Sequence, residues 1–213
     1  MPDQPARKKR RPHRRDQILA SALRLFHEHG YHATGMDEIG AAAGITGPGI
    51  YRHFRSKEDI LETLVRDRGE QVVAEIERVM ASDMAPREMV DALARSYVQG
   101  IVADPSLAVV AMYERRTLSA ETRSWLDKME RRNVEVWVAA LRQARPELDE
   151  AEARVVVHGA LSLGVAVCNY KSGLDDAALL AVVHPMVAAA LLGEPVERPA
   201  RRARSRTRTA TTA

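Results

Sequence analysis

From Asp16 onward, apolar residues recur at spacings of three and four. Ile18, Leu19, Ala22, Leu23 and Phe26 form one stripe, and Gly30 just beyond them is a favoured residue past a helix end. A short second helix is predicted in MDEIGAAA, which Gly44 breaks. A third begins at Thr46, whose hydroxyl can cap the next turn, and runs through Ile50, Tyr51 and Phe54. Ser56-Lys57-Glu58-Asp59 places an acid three residues after a serine, the opening of a fourth helix that reaches toward Met80. Pro86 then opens a helix carrying Val90, Leu93, Ala94 and Tyr97, and Pro105 opens another that runs through Leu107 and Val110 to Tyr113. SAETRSWLDKMERRNVEVWVAALRQA reads as one long amphipathic helix. Two helices with wide apolar surface follow, Glu150 to Tyr170 and Asp175 to Leu192, with Pro185 predicting a kink or a shifted start in the last. No stretch combines sustained alternation with hairpin turn signals, so the pattern predicts an all-α chain.

Three short helices, the second and third joined by a tight glycine-containing turn, are the mark of a helix-turn-helix DNA-binding unit. In such a unit the third helix enters the major groove N-terminus first. Gly47, Pro48 and Gly49 weaken that helix start but leave its leading edge slim: glycine permits close backbone approach, and proline is tolerated where the missing amide has no intrahelical partner. The other reading of these three residues is a loop before a helix start at Ile50.

Charge sharpens this picture. Residues 1–15 carry seven Lys or Arg against Asp3, and residues 198–213 carry six Arg and no acid, so each end holds +6. With a total of +3, the body between them carries −9. Two cationic tails on an acidic body suit capture of a polyanion, or are solvated disordered ends. The single cysteine, Cys168, excludes an intrachain disulfide, and neither a secretory h-region nor a membrane-length apolar run is present, so the expected location is the cytoplasm.

The stretch from about Arg14 to Leu64 resembles the N-terminal domain of the TetR family of bacterial transcriptional repressors. LFHEHGYHAT, MDEIGAAAGIT, GIYRHF and SKEDIL occur in the family's order, although Gly35 stands where Ser or Thr usually caps the second helix and Gly40 where Ala is usual. The resemblance implies that Gly47, Pro48, Gly49, Tyr51 and Arg52 face bases or the groove floor. It also implies that Tyr51, His53 and Lys57 hold phosphates, and that Thr34 and Thr46 lie at the DNA. Arg52 is the candidate for direct readout, since a guanidinium bonds both O6 and N7 of guanine. Arg14 and Arg15 are candidates for an arm on the backbone or minor groove.

The resemblance further implies a homodimer built from the last two helices, a pseudo-palindromic operator, and a small-molecule effector pocket among the middle helices. Tyr97, Met112, Tyr113, Arg116, Trp125, Trp137 and His158 are candidates for that pocket: aromatic and methionine side chains suit a large apolar ligand, and an arginine suits an anionic end. MYERRTLSAETRSWL is similar to lipid-related regulators, which points to a fatty acyl or acyl-CoA effector. The expected organisation is a disordered basic arm (1–13), a helix-turn-helix domain (14–65), a ligand-binding and dimerisation domain (66–195) and a disordered Arg-rich tail (196–213).

Enzymatic and metal chemistry find no support. His27 and His29 are two apart on a helix and point to different faces, so HEHGYH does not make a metal site, and no cofactor is expected. ALSLG around Ser162 has Ala160 where a nucleophile elbow needs glycine, and no strand precedes it. Two rivals to a ligand-controlled repressor stay open: a nonspecific DNA-binding protein driven by its tails, and a ligand-binding protein whose helix-turn-helix does not read DNA.

Overall fold

The computed structural model describes residues 13–107, 110, 114–168, 170 and 172–193. Its helices are α1 (Arg14–His29), α2 (Met36–Ala42), α3 (Gly47–Ile50), α4 (Lys57–Met80), α5 (Pro86–Ala103), α6 (Ala120–Ala144), α7 (Glu150–Cys168) and α8 (Asp176–Leu192). Every regular element among the described residues is helical. Most of the basic arm, the whole Arg-rich tail, and Met112 and Tyr113 lie outside the described residues.

Side-chain caps fix several starts. The Asp59 amide donates to Ser56 Oγ (3.3 Å), the Thr122 amide to Ser119 Oγ (3.2 Å) and the Ala178 amide to Asp175 Oδ1 (2.8 Å). Gly30 ends α1 with φ +86°, and Gly44 turns the chain between α2 and α3 with φ +68°; both are conformations that a side chain disfavours.

The third helix departs from expectation. It has four residues, not a run through Phe54, and the Thr46 side chain makes no capping bond. The Thr46 carbonyl instead accepts from the Gly49 and Ile50 amides (2.8 and 3.2 Å), and the Ile50 carbonyl accepts from both the His53 and Phe54 amides (2.9 and 3.0 Å), a mixed three- and four-residue spacing that closes the segment. Two glycines and a proline in four positions supply little helix propensity, so packing of Ile50 and Phe54 holds the segment in place. At the other end α7 stops at Cys168, and α8 starts at Asp176 and continues through Pro185, so the proline does not shift its start.

Two apolar cores share α4. The first gathers Ile18, Ala22, Phe26, Ile39, Ile50, Phe54, Ile60, Leu61 and Leu64; the second gathers Val79, Val90, Leu93, Val98, Trp137, Leu141, Val157, Val183 and Leu191. Leu107, Val110, Leu118 and Leu126 belong to the first core, which therefore draws in residues well beyond position 65. Polar links reinforce that junction. The Ser119 amide donates to Glu62 Oε1 (2.8 Å), Arg66 Nη2 donates to the Thr122 hydroxyl (3.1 Å), and His32 Nε2 lies 3.6 Å from Glu114 Oε2. In the second core, buried Arg145 donates to the Leu191 carbonyl (3.1 Å), and His184 on α8 meets Asp91 on α5 at 3.0 Å. Among the described residues no helix is long and apolar enough to cross a membrane.

Candidate DNA interface and ligand chamber

Packing explains the glycines at the tip of the helix-turn-helix. A Cβ on Gly47 would lie 2.5 Å from Asp37 Oδ1, and one on Gly49 would lie 3.1 Å from Thr46 Oγ1. Gly47 thus lets the Asp37 side chain of α2 lie against the start of α3, and Gly49 leaves room for the Thr46 hydroxyl. Around this tip Thr46, Pro48, Tyr51, Arg52 and His53 are exposed, Tyr51 at 54%. Among the described residues the Tyr51, Arg52 and His53 side chains make no hydrogen bond or ion pair, so a phenol, a guanidinium and an imidazole are free to meet a polyanion. Phe54 is buried in the first core at 1% exposure.

Two of the residues expected at the DNA make bonds within the chain. Thr34 is 2% exposed, and its hydroxyl donates to the Gly30 carbonyl at 2.9 Å, closing the turn after α1. Lys57 Nζ donates to the carbonyls of Tyr31 (2.8 Å), Thr34 (2.9 Å) and His32 (3.4 Å), which uses all three ammonium protons inside the molecule. It also lies 4.4 Å from the Tyr31 ring centroid. The turn after α1 leaves carbonyls that no helix satisfies, and Lys57 at the start of α4 is the cation nearest them. Arg14 and Arg15 are exposed but anchored: Arg14 Nη1 donates to Gln17 Oε1 at 2.9 Å and reaches the Ala43 carbonyl at 3.4 Å, and the Arg15 guanidinium sits 5.2 Å over the Phe54 ring.

A cavity of about 460 Å³ lies between α4, α5, α6 and α7. Its walls are mostly apolar, from Val65, Val72, Ile76, Leu93, Met129 and Trp137, with Arg68, Tyr97, Arg115 and Asn133 among the polar groups. Glycines shape it. A Cβ on Gly164 would lie 2.7 Å from Tyr97 Cε1, and one on Gly100 would collide with Arg68 Nη2. Tyr97 donates its hydroxyl to the Leu161 carbonyl at 2.5 Å and meets the Trp137 ring edge-on at 6.0 Å. Burial pushes the Arg68 guanidinium below its ordinary pKa. Arg115 is instead raised, by its bonds to Glu130 and Asp127.

Of the ligand candidates drawn from sequence, Tyr97 and Trp137 line this chamber. Trp125 backs its wall, with ring atom Cη2 2.5 Å from where a Gly69 Cβ would sit and the Arg66 guanidinium 5.3 Å over its ring. Arg116 is exposed and does not line the chamber, and His158 lies on the exposed side of α7 beside Val155. Arg116 sits in the turn before α6, and His158 occupies the outward face of α7. Arg68, Gly100, Met129, Asn133 and Gly164 were missed. The available signal was the placement of Gly69, Gly100 and Gly164 inside helices: each costs about 1 kcal/mol relative to alanine and marks a close approach by another element.

Residues 18–64 match the family model for bacterial regulatory proteins of the tetR family. The chain is 29% identical over 157 residues to the HTH-type transcriptional repressor KstR2 of Mycolicibacterium smegmatis, covering 70% of this chain and 73% of that one. Among solved structures, the fatty acid degradation regulator FadR from Bacillus halodurans is similar at 27% identity and TM-score 0.66, covering 86% of this chain and 98% of that one. AibR in complex with isovaleryl coenzyme A and operator DNA has TM-score 0.70 at 24% identity over 84% of this chain and 99% of its own, a likeness of fold alone. These relatives are regulators and not enzymes. Residues 18–64 are thus a DNA-binding helix-turn-helix domain of the tetR family, and the chain as a whole is similar to transcriptional regulators that carry it.

Proposed function

We propose that this chain is a sequence-specific repressor that holds a pseudo-palindromic operator as a homodimer and releases it when a fatty acyl or acyl-CoA effector fills the chamber. The observation that carries this reading is α4. Its first half, Ile60 to Val65, is core of the DNA-binding unit, and its second half, Val72 and Ile76, is a chamber wall. One rigid element therefore touches both sites. A ligand that prefers one setting of α4 shifts the spacing of the two recognition helices, and linkage makes operator weaken effector equally. The repressor KstR2 and the fatty acid regulator FadR, as relatives, support the direction of control and the effector class. Exposed Val155 on α7 and Val182 and Met186 on α8, at 72%, 49% and 42%, support a dimer through these two helices. Free Tyr51, Arg52 and His53 favour a unit that reads DNA over one that has ceased to. The expected place of action is the cytoplasm.

Fluorescence anisotropy with the duplex upstream of the chain's own gene tests this reading. The full chain should prefer that duplex over a shuffled one at near-physiological salt, and an acyl ligand should release it. Equal binding to both duplexes, lost with salt and with removal of residues 1–13 and 198–213, would leave only tail electrostatics.

A further inference from the structure

We propose that the chamber recognises its ligand by a free carboxylate, held by Arg68, with an apolar body lying along Val72, Ile76, Leu93 and Trp137. The inference rests on the reading of this cavity as the effector site and names the chemistry that site selects.

Arg68 projects from α4 to the chamber wall, into space that exists because Gly100 on α5 has no Cβ. Among the described residues its guanidinium has no hydrogen-bond or ion-pair partner. The acids that act on it through space are committed elsewhere. Asp104 accepts the Leu107 amide at 3.1 Å, and Glu75 is held by Arg78 Nη2 at 2.5 Å and by the Ser96 hydroxyl at 3.4 Å. The other guanidinium at the chamber, Arg115, is tied to Glu130 by two bonds of 2.9 Å and to Asp127. Arg68 is thus the chamber cation without a direct hydrogen-bond or ion-pair partner among the described residues, its charge offset only through space by Asp104 and Glu75 on a mostly apolar wall. Taking a charge out of water without a partner is costly, and burial already weakens the proton affinity of Arg68. A carboxylate offsets that cost best, because its two oxygens match the guanidinium fork.

The same inventory argues against a coenzyme A thioester as the form recognised. A thioester carbonyl has no charge for Arg68, and the phosphates of coenzyme A need several cations where the chamber offers one. Glu75 and Glu130 on the walls repel several phosphate charges more strongly than the single charge of a carboxylate. A cavity of about 460 Å³ also falls in the lower half of the roughly 300–1,000 Å³ range of small-molecule sites.

The test is calorimetric titration of the full chain with decanoate and myristate, their methyl esters and their coenzyme A thioesters. The acids should bind at least about tenfold more tightly than the esters, the difference expected for a charged hydrogen bond. Arg68→Met should erase that difference while leaving ester affinity in place, and Arg68→Lys should restore part of it. Thermal melts and operator binding of both variants report whether the fold is intact; should Arg68→Met not fold, the acid-to-ester ratio of the parent chain and of Arg68→Lys still decides. Esters or thioesters that bind as well as the acids overturn the carboxylate inference while leaving the chamber as an acyl site. Absence of binding by all three classes overturns the effector reading and this inference with it.

Discussion

Lys57 Nζ donates to the Tyr31 carbonyl at 2.8 Å and stands 4.4 Å from the centroid of the same residue's ring. The ammonium therefore stitches the start of α4 to the turn after α1. The role implied by family resemblance was a phosphate contact, and the two roles separate by experiment. Lys57→Met should lower stability by roughly 1–3 kcal/mol by leaving half-buried carbonyls unpaired, with the salt dependence of operator binding nearly unchanged. Arg52→Ala should do the reverse: an unchanged melting temperature, and base preference flattened at one position per half-site by about 1–3 kcal/mol. A Lys57 variant that melts normally but loses about one unit of salt slope would return Lys57 to the DNA.

Gly40 on α2 is an avoidable cost. A Cβ there would meet Ile45 O at 3.5 Å and Ile50 Cβ at 3.8 Å, ordinary contact distances. Gly40→Ala should therefore stabilise the helix-turn-helix by about 0.5–1 kcal/mol, read as a higher midpoint in denaturant with no change of slope.

Acid should loosen the junction between α4 and α6. Burial alone would raise the Glu62 carboxyl, but hydrogen bonds from Ser119 and Thr122 and the charge of Arg66 hold it below its ordinary value of 4.5. A depressed carboxylate contributes stability that is present above 4.5 and is lost as pH falls through the lower folded value. Glu62→Gln should remove that share of the acid sensitivity, less than about 1 kcal/mol because water screens the site. Melting curves taken at falling pH on both proteins measure it.

Gly164→Ala should reshape the chamber without touching DNA. The new methyl would press on Tyr97 Cε1 from 2.7 Å and displace a ring that also meets Trp137. Overpacking of this kind costs roughly 1–3 kcal/mol. Acyl-ligand affinity should fall by about tenfold or more while operator affinity at saturating protein is retained, as anisotropy would show.

Val155 tests the dimer. At 72% exposure it contributes nothing to the fold of one chain, so Val155→Glu should leave the melting of the monomer intact. It should shift sedimentation toward monomer and weaken operator binding through loss of the second half-site.

The order and most boundaries of the eight helices described above were legible because burial imposes a period of 3.6 on each segment; Ile18 to Phe26 and Val90 to Tyr97 show it plainly. The span of α3 was not, since GPGI has little helical propensity and the segment is held by burial of Ile50 and Phe54. The motif places Tyr51, Arg52 and His53 at the tip, where they are exposed, but the internal bonds of Thr34 and Lys57 could not be assigned without knowing where the turn after α1 leaves its carbonyls. Arg68 escaped notice because a lone arginine in an amphipathic helix reads as solvent-facing. Only the glycine opposite it, Gly100, shows that its head group turns inward. His158 misled for the converse reason: its neighbours Val157 and Ala160 are buried, while its own position on α7 points out.

The most direct test is selection of the full chain's preferred sites from random duplexes at near-physiological salt. A ligand-controlled dimeric repressor should enrich an element with two half-sites related by two-fold symmetry, their centres about one helical turn or a multiple of it apart, and Arg52→Ala should relax one half-site position. Failure to enrich any sequence, or enrichment of an element without two-fold symmetry, would contradict it.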